Sequence, residues 1–401
     1  MNEITDVNIV EIIEKAIDRS KWEKFIFSDL FENVVEKVVP KNSGLEHYIG
    51  LEHLDSGSLH IKRFGDTSSL IGDKLKIYKG DIIFAKRNAY LKRASIAPFD
   101  AVASAHSLVL RPKEKNVLPE FIPFFLMSEK FWERAIEISV GSLSPTINWK
   151  SLAKQEFLLP PKDQQAQLAE LLWAMDEVIE REKELLDQLN NNKRAYEKAN
   201  FIVYRPEIDK KISKNYTIFK LQDIAEITGG STPSRDRIDF WNGNIPWLTP
   251  TDVTNHNKIE LNKTKENITE LGLKDISNRI YPPGTILYCS RATIGYAIIN
   301  EVPMTTNQGF SNFIVNENVS NYFLYFLLKY LTPELTRLAG GSTFLEISKS
   351  ALRKYKVVIP AFNIQKNIEN VLLEFESNRI LVLEKLQSSQ SLQKSLINQV
   401  F

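Results

Sequence analysis

The sequence predicts a mixed α/β protein with two globular domains that are tandem pseudo-repeats, separated by long α-helices that form an antiparallel coiled-coil stalk. A chain of 401 residues is too long for one ordinary domain and suits two or three. Motifs of the first half return in the same order in the second half. Two stretches of about 35 residues, free of glycine and proline, carry apolar residues at heptad spacing.

The internal repeat has three blocks. Gly80–Arg87 aligns with Gly284–Arg291, and Phe27–Leu30 aligns with Leu221–Ile224. The third block pairs Val140-Gly141-Ser142, Ile147, Leu152, Pro160, Gln165 and Leu172 with Gly340-Gly341-Ser342, Ile347, Leu352, Pro360, Gln365 and Leu372. Chance is much less able to produce three matches in the same order than to produce a single match. The two halves therefore share one architecture and differ in surface residues.

Each half is expected to contain short strands separated by glycine, proline and asparagine turns, and then a helix. The predicted strands are Asp81–Ala85, Ser107–Leu110, Thr285–Cys289 and Asn312–Val315. The predicted helices are Pro119–Ser128 and Ser320–Tyr330. A long helix follows each globular domain.

The long helices each carry an apolar seam. The first seam has Leu168, Leu171, Met175, Val178, Leu185, Leu189 and Tyr196; the second has Ile368, Val371, Phe375, Val382, Leu392 and Leu396. Glu182 and Asn192 interrupt the first seam and would fix its register. Neither helix can bury its seam alone, so we expect antiparallel pairing. The alternative is that each helix packs on its own globular domain.

These elements set the expected domain boundaries. They are an N-terminal helix at 1–20, a first globular domain at 21–162, a central helical spacer at 163–203, a second globular domain at 204–362 and a C-terminal helical spacer at 363–401. The N-terminal helix is amphipathic and is expected to pack against the core, or else to extend the stalk or contact a partner.

Composition excludes several classes of protein. The single cysteine, Cys289, rules out a disulfide framework, and the five histidines lack the spacing of a helical metal pair. No apolar run is long enough to span a membrane, and no signal peptide is recognised, so we expect a cytoplasmic protein with no membrane partner. The net charge of +1 argues weakly against nucleic acid. However, basic residues are concentrated between Lys62 and Lys115, where either a polyanion or plain solvent could lie against them.

Two related globular domains at a fixed separation suit a linear ligand with two unlike half-sites. A helix of about 35 residues spans roughly 50 Å. The turns of B-DNA repeat about every 34 Å, so a stalk of this length could place two readers in separate major grooves.

Specific motifs in both halves are those of a known family. In the second half they are Gly229–Ser234, Phe240-Trp241, Ile245–Pro250, Asp252, Gly284–Ile286, Ser290-Arg291 and Asn307–Phe310; in the first half they are Tyr48–Leu54 and Leu159–Gln165. On these segments the chain resembles the specificity subunits of type I restriction–modification systems, over nearly its whole length. The first half departs from the pattern: it lacks the Gly-Gly-Ser-Thr-Pro-Ser opening and has Ser104–Ser107 where the second half has Asn307–Phe310.

The resemblance implies a DNA-reading protein without a catalytic centre. The globular domains would be target-recognition domains for double-stranded DNA. The implied partners are two modification subunits, which methylate adenine with S-adenosylmethionine, and restriction subunits, which use ATP and Mg. No cofactor is expected on this chain itself. The helices would dock the modification subunits through Leu168, Leu171, Met175, Val178, Leu185, Ile368, Val371, Phe375, Val382 and Leu392.

The candidate DNA-binding residues are basic, hydroxyl and amide side chains. In the first half they are Lys62, Arg63, Lys74, Lys76, Lys86, Arg87, Asn88, Tyr90, Lys92 and Arg93. In the second half they are Ser231, Thr232, Ser234, Arg235, Arg237, Ser290, Arg291, Thr293, Asn307 and Gln308. Arg87 and Arg291 follow equivalent strands and could bind guanine or phosphate, or else pair with a nearby carboxylate.

The amide residues and the tryptophans also have two interpretations. Asn307 and Gln308 could read adenine or cap local backbone, and the loop from Ser231 to Arg237 could be a plain turn. Trp241 and Trp247 fit core anchors better than base-stacking platforms.

Two other functions make different demands on the sequence. A methyltransferase or nuclease acting alone would need an Asn-Pro-Pro-aromatic motif, a glycine-rich cofactor loop or a phosphate-binding Gly-Lys-Ser/Thr loop, and the sequence shows none of these. A protein-binding scaffold with a coiled-coil spacer would fit the architecture and the near-neutral charge equally well. Only the family motifs and the basic stretch favour DNA over that scaffold.

Overall fold

The computed structural model describes residues 19–207, 213–276, 278–341 and 345–401. The predicted N-terminal helix lies outside these residues except for its last two positions. The chain forms two compact units: the first runs as far as Glu182 and also includes Lys385–Phe401, and the second is Lys183–Glu384. Both long helices therefore contribute to both units.

Among the described residues, the first half contains eleven strands and five helices. The strands are β1 (Glu23–Ile26), β2 (Phe31–Asn33), β3 (Lys37–Val38), β4 (His47–Ile49), β5 (Gly65–Asp66), β6 (Lys74–Ile77), β7 (Ile82–Ala85), β8 (Ala94–Ile96), β9 (Ala101–Ala103), β10 (Ser107–Pro112) and β11 (Glu156–Leu159). The helices are α1 (Phe27–Leu30), α2 (Ile122–Phe125), α3 (Glu129–Glu137), α4 (Trp149–Leu152) and α5 (Lys162–Asn200).

The second half contains ten strands and seven helices in the described residues. The strands are β12 (Tyr216–Lys220), β13 (Ala225–Gly229), β14 (Trp241–Leu248), β15 (Glu260–Leu261), β16 (Glu266–Ile268), β17 (Ile286–Cys289), β18 (Ala297–Asn300), β19 (Thr305–Thr306), β20 (Phe310–Val315) and β21 (Lys356–Pro360). The helices are α6 (Leu221–Ile224), α7 (Pro250–Thr254), α8 (Glu270–Asp275), α9 (Asn321–Tyr330), α10 (Thr332–Thr336), α11 (Lys349–Lys354) and α12 (Phe362–Val400).

The sheets of the two halves have matching topology. The order β2-β10-β7-β8 of the first half corresponds to β13-β20-β17-β18-β15 of the second. The two-stranded pair β1-β11 corresponds to β12-β21. Each half also contains a parallel strand pair of the same kind, β4 with β9 and β14 with β19. The second strand of each pair is followed in sequence by the longest strand of the main sheet, β10 or β20. The repeat predicted from the sequence is therefore present in the fold.

The four predicted strands are observed within two residues of their expected ends. One predicted helix is wrong in part: Pro119–Ser128 contains only the single turn α2, and the longer helix α3 begins after it. The Ser128 hydroxyl accepts a hydrogen bond from the Phe131 amide (3.3 Å), which caps α3. Ser128 is thus the start of a helix rather than the end of one.

Each unit has an aromatic-rich core. In the first unit Phe27, Phe84 and Phe131 pack with Trp132 and Phe157 between the sheets and α3. The last residues of α12, including Leu396 and Phe401, belong to the same core. In the second unit the core is formed by β17, β20 and α9, with Phe313, Phe323 and Phe326 fully buried.

The long helices α5 and α12 each have 39 residues. Each begins directly after the proline-ended strand that the sequence predicts, at Lys162 and Phe362. Within the first unit, the Gln393 side chain of α12 donates to the Leu172 carbonyl of α5 (3.5 Å). Within the second unit, Lys193 of α5 pairs with Glu376 of α12 (2.7 Å). Over the described residues no helix combines the length and apolar character that crossing a membrane requires.

Candidate nucleic-acid interface

Arg87 and Arg291 occupy equivalent positions in the two halves. Arg87 follows β7 and its backbone bridges to Thr146, which also bridges to Val140. Arg291 follows β17 and bridges in the same way to Glu346, which bridges to Gly340. Each arginine is therefore presented at the end of a strand, next to a short hairpin.

The residue after each arginine has left-handed backbone. Asn88 has φ 54° and Ala292 has φ 59°. A non-glycine residue in this region is strained, and the strain turns the chain sharply away after the strand. The arginine side chain is thus left at the outside of the turn. Asn88 is further fixed because its side-chain oxygen accepts from the Ser144 hydroxyl (2.9 Å).

A second matching turn lies beside each arginine. In the first half the Ser104 hydroxyl accepts from the His106 amide (3.2 Å). In the second half the Asn307 side-chain oxygen accepts from the Gly309 amide (2.8 Å). The Ser290 amide donates to the Gly309 carbonyl (2.9 Å), which holds this turn against the strand end. Asn307 therefore caps local backbone with its oxygen.

The first-half site is strongly basic. Lys86 donates to the Ala105 carbonyl (2.9 Å), beside His106. Partial burial lowers the pKa of His106, and the charges of Arg87, Lys86 and Lys74 lower it further. Desolvation and the charge of Arg87 also lower the pKa of Lys86. These cations repel one another and would be stabilised by a nearby anion.

The two arginines differ in their carboxylate surroundings. Arg291 lies 3.7 Å from the Glu346 carboxylate. Thr146 takes the place of that carboxylate in the first half, and Arg87 forms no ion pair among the described residues. The expected alternative of a carboxylate partner therefore applies to Arg291 and not to Arg87.

The second-half site is built from three segments. The Thr232 hydroxyl donates to the Gln308 side-chain oxygen, which joins the loop after β13 to the turn before β20. The Ser231 amide donates to the Thr306 carbonyl (3.0 Å). Gly230 passes so close to Thr306 that a Cβ would lie 1.9 Å from its carbonyl oxygen, so a side chain there would displace the loop. The loop and the turn were predicted separately, and the structure brings them together.

Two of the second-half candidates, Ser290 and Thr293, have hydroxyl groups that are buried in the fold. Ser290 is 2% exposed and its hydroxyl accepts from the Ser311 hydroxyl (2.9 Å), so it is unavailable to a ligand. Thr293 is half-buried in the tight turn after Arg291. Cys289, which precedes Ser290, is fully buried, and burial raises the pKa of its thiol to about 12.

The arginines of the loop after β13 already have carboxylate partners. Arg235 forms a two-point contact with Glu266 (2.5 and 3.0 Å) and stacks over the Trp241 ring at 3.8 Å. Arg237 pairs with Asp239 (2.6 and 2.9 Å). Ser234 precedes Arg235, and its amide donates to Asp275 (3.1 Å) while its carbonyl accepts from Trp241. This part of the loop is a structural network with its charge largely balanced.

The two tryptophans, predicted to be core anchors, differ in how deeply they are buried. Trp247 is fully buried and donates to the Ser231 carbonyl (3.0 Å). Trp241 is half-buried and packs edge-on against Trp247 at 5.0 Å.

Much of the basic stretch of the first half is also neutralised internally. Lys62 pairs with Glu180 (2.6 Å) and Arg63 with Asp55 (2.5 Å). Lys76 pairs with Glu36 (3.3 Å) and Lys92 with Glu129. Arg93 is half-buried and donates to the Leu51 carbonyl (2.6 Å).

Two of the remaining first-half candidates lie at the surface and form no ion pair in the described residues. Lys74 donates to the carbonyls of Ile71 (2.6 Å) and Gly72 (3.4 Å), which leaves its charge without a carboxylate partner among the described residues. Tyr90 is exposed. Among the first-half candidates, Lys74, Lys86 and Arg87 therefore lie near His106 without a carboxylate partner in the described residues.

The predicted docking residues divide into buried and exposed sets. Leu168, Ile368 and Val382 are buried within the described chain. The half-buried members are Leu171, Met175, Val371, Phe375 and Leu392. Val178 (47%) and Leu185 (45%) are exposed, and so are Leu381 and Phe362, which the sequence analysis did not identify.

Sequence reasoning missed further residues of the site. His106 and Glu346 modulate the charge around the two arginines, and Leu143 lies exposed on the hairpin beside Arg87. The repeat alignment could have identified Glu346 as the position equivalent to Thr146. Within the described residues no group of three or more histidine, cysteine, aspartate and glutamate side chains is placed to hold a metal ion.

Comparison with known proteins reveals one consistent similarity. The family described as type I restriction modification DNA specificity domain matches residues 19–191 and 213–393. The type I restriction enzyme MjaIX specificity subunit of Methanocaldococcus jannaschii is 41% identical over 186 residues, which is 46% of this chain and 42% of that protein. The HindI specificity subunit of Haemophilus influenzae is 21% identical over 444 residues, covering 90% of this chain and 95% of that one.

Solved structures share the fold. A type I restriction–modification system S subunit from M. genitalium aligns with a TM-score of 0.61 and 16% identity, covering 95% of this chain and 96% of that chain. A chain from a study of complex assembly and conformational transition in the type I R-M system aligns with a TM-score of 0.57 and 18% identity, covering 95% and 97%.

Proposed function

The chain belongs to the family of type I restriction–modification DNA specificity domains, and from this premise we propose that each of its two repeats reads one half of a bipartite DNA target. As a specificity subunit it recognises sequence, and catalysis lies in partner subunits. The first globular domain and the second would act as separate target-recognition domains. This assignment favours DNA reading over the protein-binding scaffold and over an enzyme acting alone.

The observation that carries the proposal is the pair of equivalent but unlike sites. The two arginines lie at the ends of equivalent strands, β7 and β17, in corresponding sheets, and each is followed by a residue with left-handed backbone. One faces a threonine and the other a glutamate at the equivalent hairpin position. A constant scaffold with different recognition residues is what two different half-sites require.

The contact residues that we propose are exposed or half-buried side chains near these turns. In the first half they are Lys74, Lys86, Arg87, Asn88 and Tyr90; in the second half they are Ser231, Thr232, Arg291, Asn307 and Gln308. The buried Ser290 and the carboxylate-paired Arg235 and Arg237 are left out of this set. An arginine can make two hydrogen bonds to guanine, and an amide side chain can do so with adenine.

We also propose that α5 and α12 pair as an antiparallel stalk that sets the distance between the half-sites. Contacts inside each unit support this. Leu172, early in α5, meets Gln393, late in α12, whereas Lys193, late in α5, meets Glu376, early in α12. The Tyr196 and Phe375 rings also lie 6.1 Å apart. The direction of both sets of contacts is that of antiparallel helices.

The proposed partners are two modification subunits and the restriction subunits. The exposed apolar residues Val178, Leu185 and Leu381 support docking through the long helices, because removing apolar surface from water is favourable. S-adenosylmethionine, ATP and Mg would be bound by those partners. The expected place of action is the cytoplasm.

The test is to map methylated adenines in DNA from cells that express this chain with its modification subunit. We expect a bipartite motif of two unlike parts separated by an unread gap. Methylation without any sequence preference, or at a single continuous motif, would contradict the proposal.

A variant assigns each half of the motif to one site. With Arg291→Ala we expect loss of base discrimination in one half of the motif only, because the first-half site is unchanged. A matched Arg87→Ala variant should affect the other half. A uniform loss of affinity for all DNA in either variant would identify that arginine as a phosphate contact instead.

A further inference from the structure

Leu143 is an apolar side chain held out in solvent beside the basic first-half site. It is 96% exposed, the highest exposure recorded among the large hydrophobic residues that the structure describes. Leucine in water is unfavourable compared with leucine in contact with an apolar group. A residue so placed gains from any apolar partner that reaches it.

The hairpin that carries Leu143 is well anchored. Val140 and Thr146 exchange backbone hydrogen bonds (3.0 and 2.9 Å), and the Thr146 hydroxyl donates to the Ser144 carbonyl (3.0 Å). The Ser144 hydroxyl donates to the Asn88 side-chain oxygen (2.9 Å). Both strands of the hairpin are therefore held in place, so the tip that carries Leu143 has a defined position.

The same contacts place Leu143 next to the cations. The Ala89 amide donates to the Pro145 carbonyl (3.3 Å), and the Ile147 amide donates to the Lys86 carbonyl (2.8 Å). Arg87 bridges to Thr146, three residues beyond Leu143. A polyanion drawn to Lys86 and Arg87 would be brought against the leucine.

We propose that Leu143 recognises a thymine in the first half-site by apolar contact with the thymine C5-methyl group. The inference rests on the proposed DNA-reading function. That methyl group is the apolar feature of the base pairs in the major groove, where guanine O6 and N7 are also offered to arginine. Arg87 and Leu143 would thus read base pairs a few steps apart in one groove.

The second-half hairpin does not repeat this arrangement at the described positions. Leu345, which precedes Glu346, aligns with Pro145 rather than with Leu143, and it is about half exposed. Its carbonyl accepts from the Ala292 amide (3.0 Å). We therefore assign the thymine contact to the first half-site.

The test replaces thymine by deoxyuridine, which removes only the methyl group. Duplexes carrying the mapped target, with each thymine of each half replaced in turn, are titrated with the complex of the full chain and its modification subunit. We expect one replacement, in the half assigned to Arg87, to weaken binding about three- to five-fold, which is the usual effect of one apolar methyl contact. Leu143→Ala should bind the thymine and deoxyuridine duplexes equally.

Leu271→Ala provides the control, because Leu271 is also exposed and lies on α8 of the other unit. This variant should keep the full difference between thymine and deoxyuridine. A wild-type complex indifferent to every replacement, a first half-site without thymine, or a Leu143→Ala variant that keeps the difference would each overturn the inference. Failure of the wild-type complex to prefer the mapped target over random duplex would overturn the DNA-reading function and the inference with it.

Discussion

At the scale of single residues, the two arginines show how one position can be tuned for different uses. Glu346 offers Arg291 an internal partner at 3.7 Å, so DNA would have to compete with a carboxylate there. Arg87 has Thr146 at that position and shares its surroundings with Lys86 and His106 instead. The first site therefore attracts an anion more strongly, whereas the Glu346 carboxylate weakens the attraction at the second site.

The strained residue after the second arginine leads to a stability prediction. Ala292 has φ 59°, which costs an alanine about 1 kcal/mol or more. Glycine adopts this conformation freely but loses more chain entropy on folding. We expect Ala292→Gly to raise the free energy of unfolding by about 0.5 kcal/mol, measured by urea denaturation of the full chain.

Ala351→Gly is the matched control, since Ala351 lies inside the helix α11. Glycine there should lower the free energy of unfolding by about 1 kcal/mol. An Ala292→Gly variant destabilised as much as Ala351→Gly would show that the left-handed residue is not strained.

The sequence could predict the arginines but not the state of the serine beside them. The alignment of Gly80–Arg87 with Gly284–Arg291 establishes their equivalence without any structure. The burial of Ser290 depends on Ser311, a residue 21 positions away on a neighbouring strand. The ion pair of Arg235 depends on Glu266, 31 positions away. Such contacts depend on tertiary packing and leave no local sequence signal.

At the scale of elements, the long helices and main strands were predictable because their apolar periodicity is strong. The helices α2 and α3 were not separated correctly. The run from Phe121 to Met127 is apolar throughout, so periodicity could not show where one helix stops. Only the capping contact of Ser128 settles the boundary.

The end of α12 gives the prediction at this scale. Phe401 is 8% exposed, and its ring lies 5.3 Å from Phe121 and 5.5 Å from Phe125. Removing a buried phenylalanine ring costs about 3 kcal/mol or more. We expect Phe401→Ala to lower the free energy of unfolding of the first unit by about 3 kcal/mol, measured by urea denaturation followed by tryptophan fluorescence.

Phe362→Ala, at the exposed start of the same helix, is the comparison variant. It should change the free energy of unfolding by less than about 1 kcal/mol. Equal effects of the two substitutions would mean that the Phe401 ring does not support the core of the first unit.

At the scale of the whole molecule, the net charge of +1 hides a distribution that the structure makes visible. Five of the basic side chains between Lys62 and Lys115 are paired with carboxylates: Lys62, Arg63, Lys76, Lys92 and Arg111. The basic stretch is therefore less cationic than its composition suggests. Lys74, Lys86 and Arg87, near His106, are among the cations of this stretch that have no carboxylate partner in the described residues and can attract a polyanion.

This distribution predicts how salt should affect DNA binding. Lys86→Gln should reduce the slope of log affinity against log salt by about 0.9, because one phosphate contact would be lost. The measurement is a salt titration of duplex binding by the complex with the modification subunit. Arg63→Gln should leave the slope unchanged, since Arg63 already pairs with Asp55. Equal slopes for Lys86→Gln and the wild type would remove Lys86 from the interface.

The membership of Lys385–Phe401 in the first unit reverses the usual order of events during synthesis. The second unit, Lys183–Glu384, is continuous in sequence, so it is complete while the ribosome is still translating the last stretch of the message. The first unit has to wait, with part of its aromatic core uncovered, until Leu396 and Phe401 emerge. We therefore expect the half of the protein that is made first to be the half that finishes folding last.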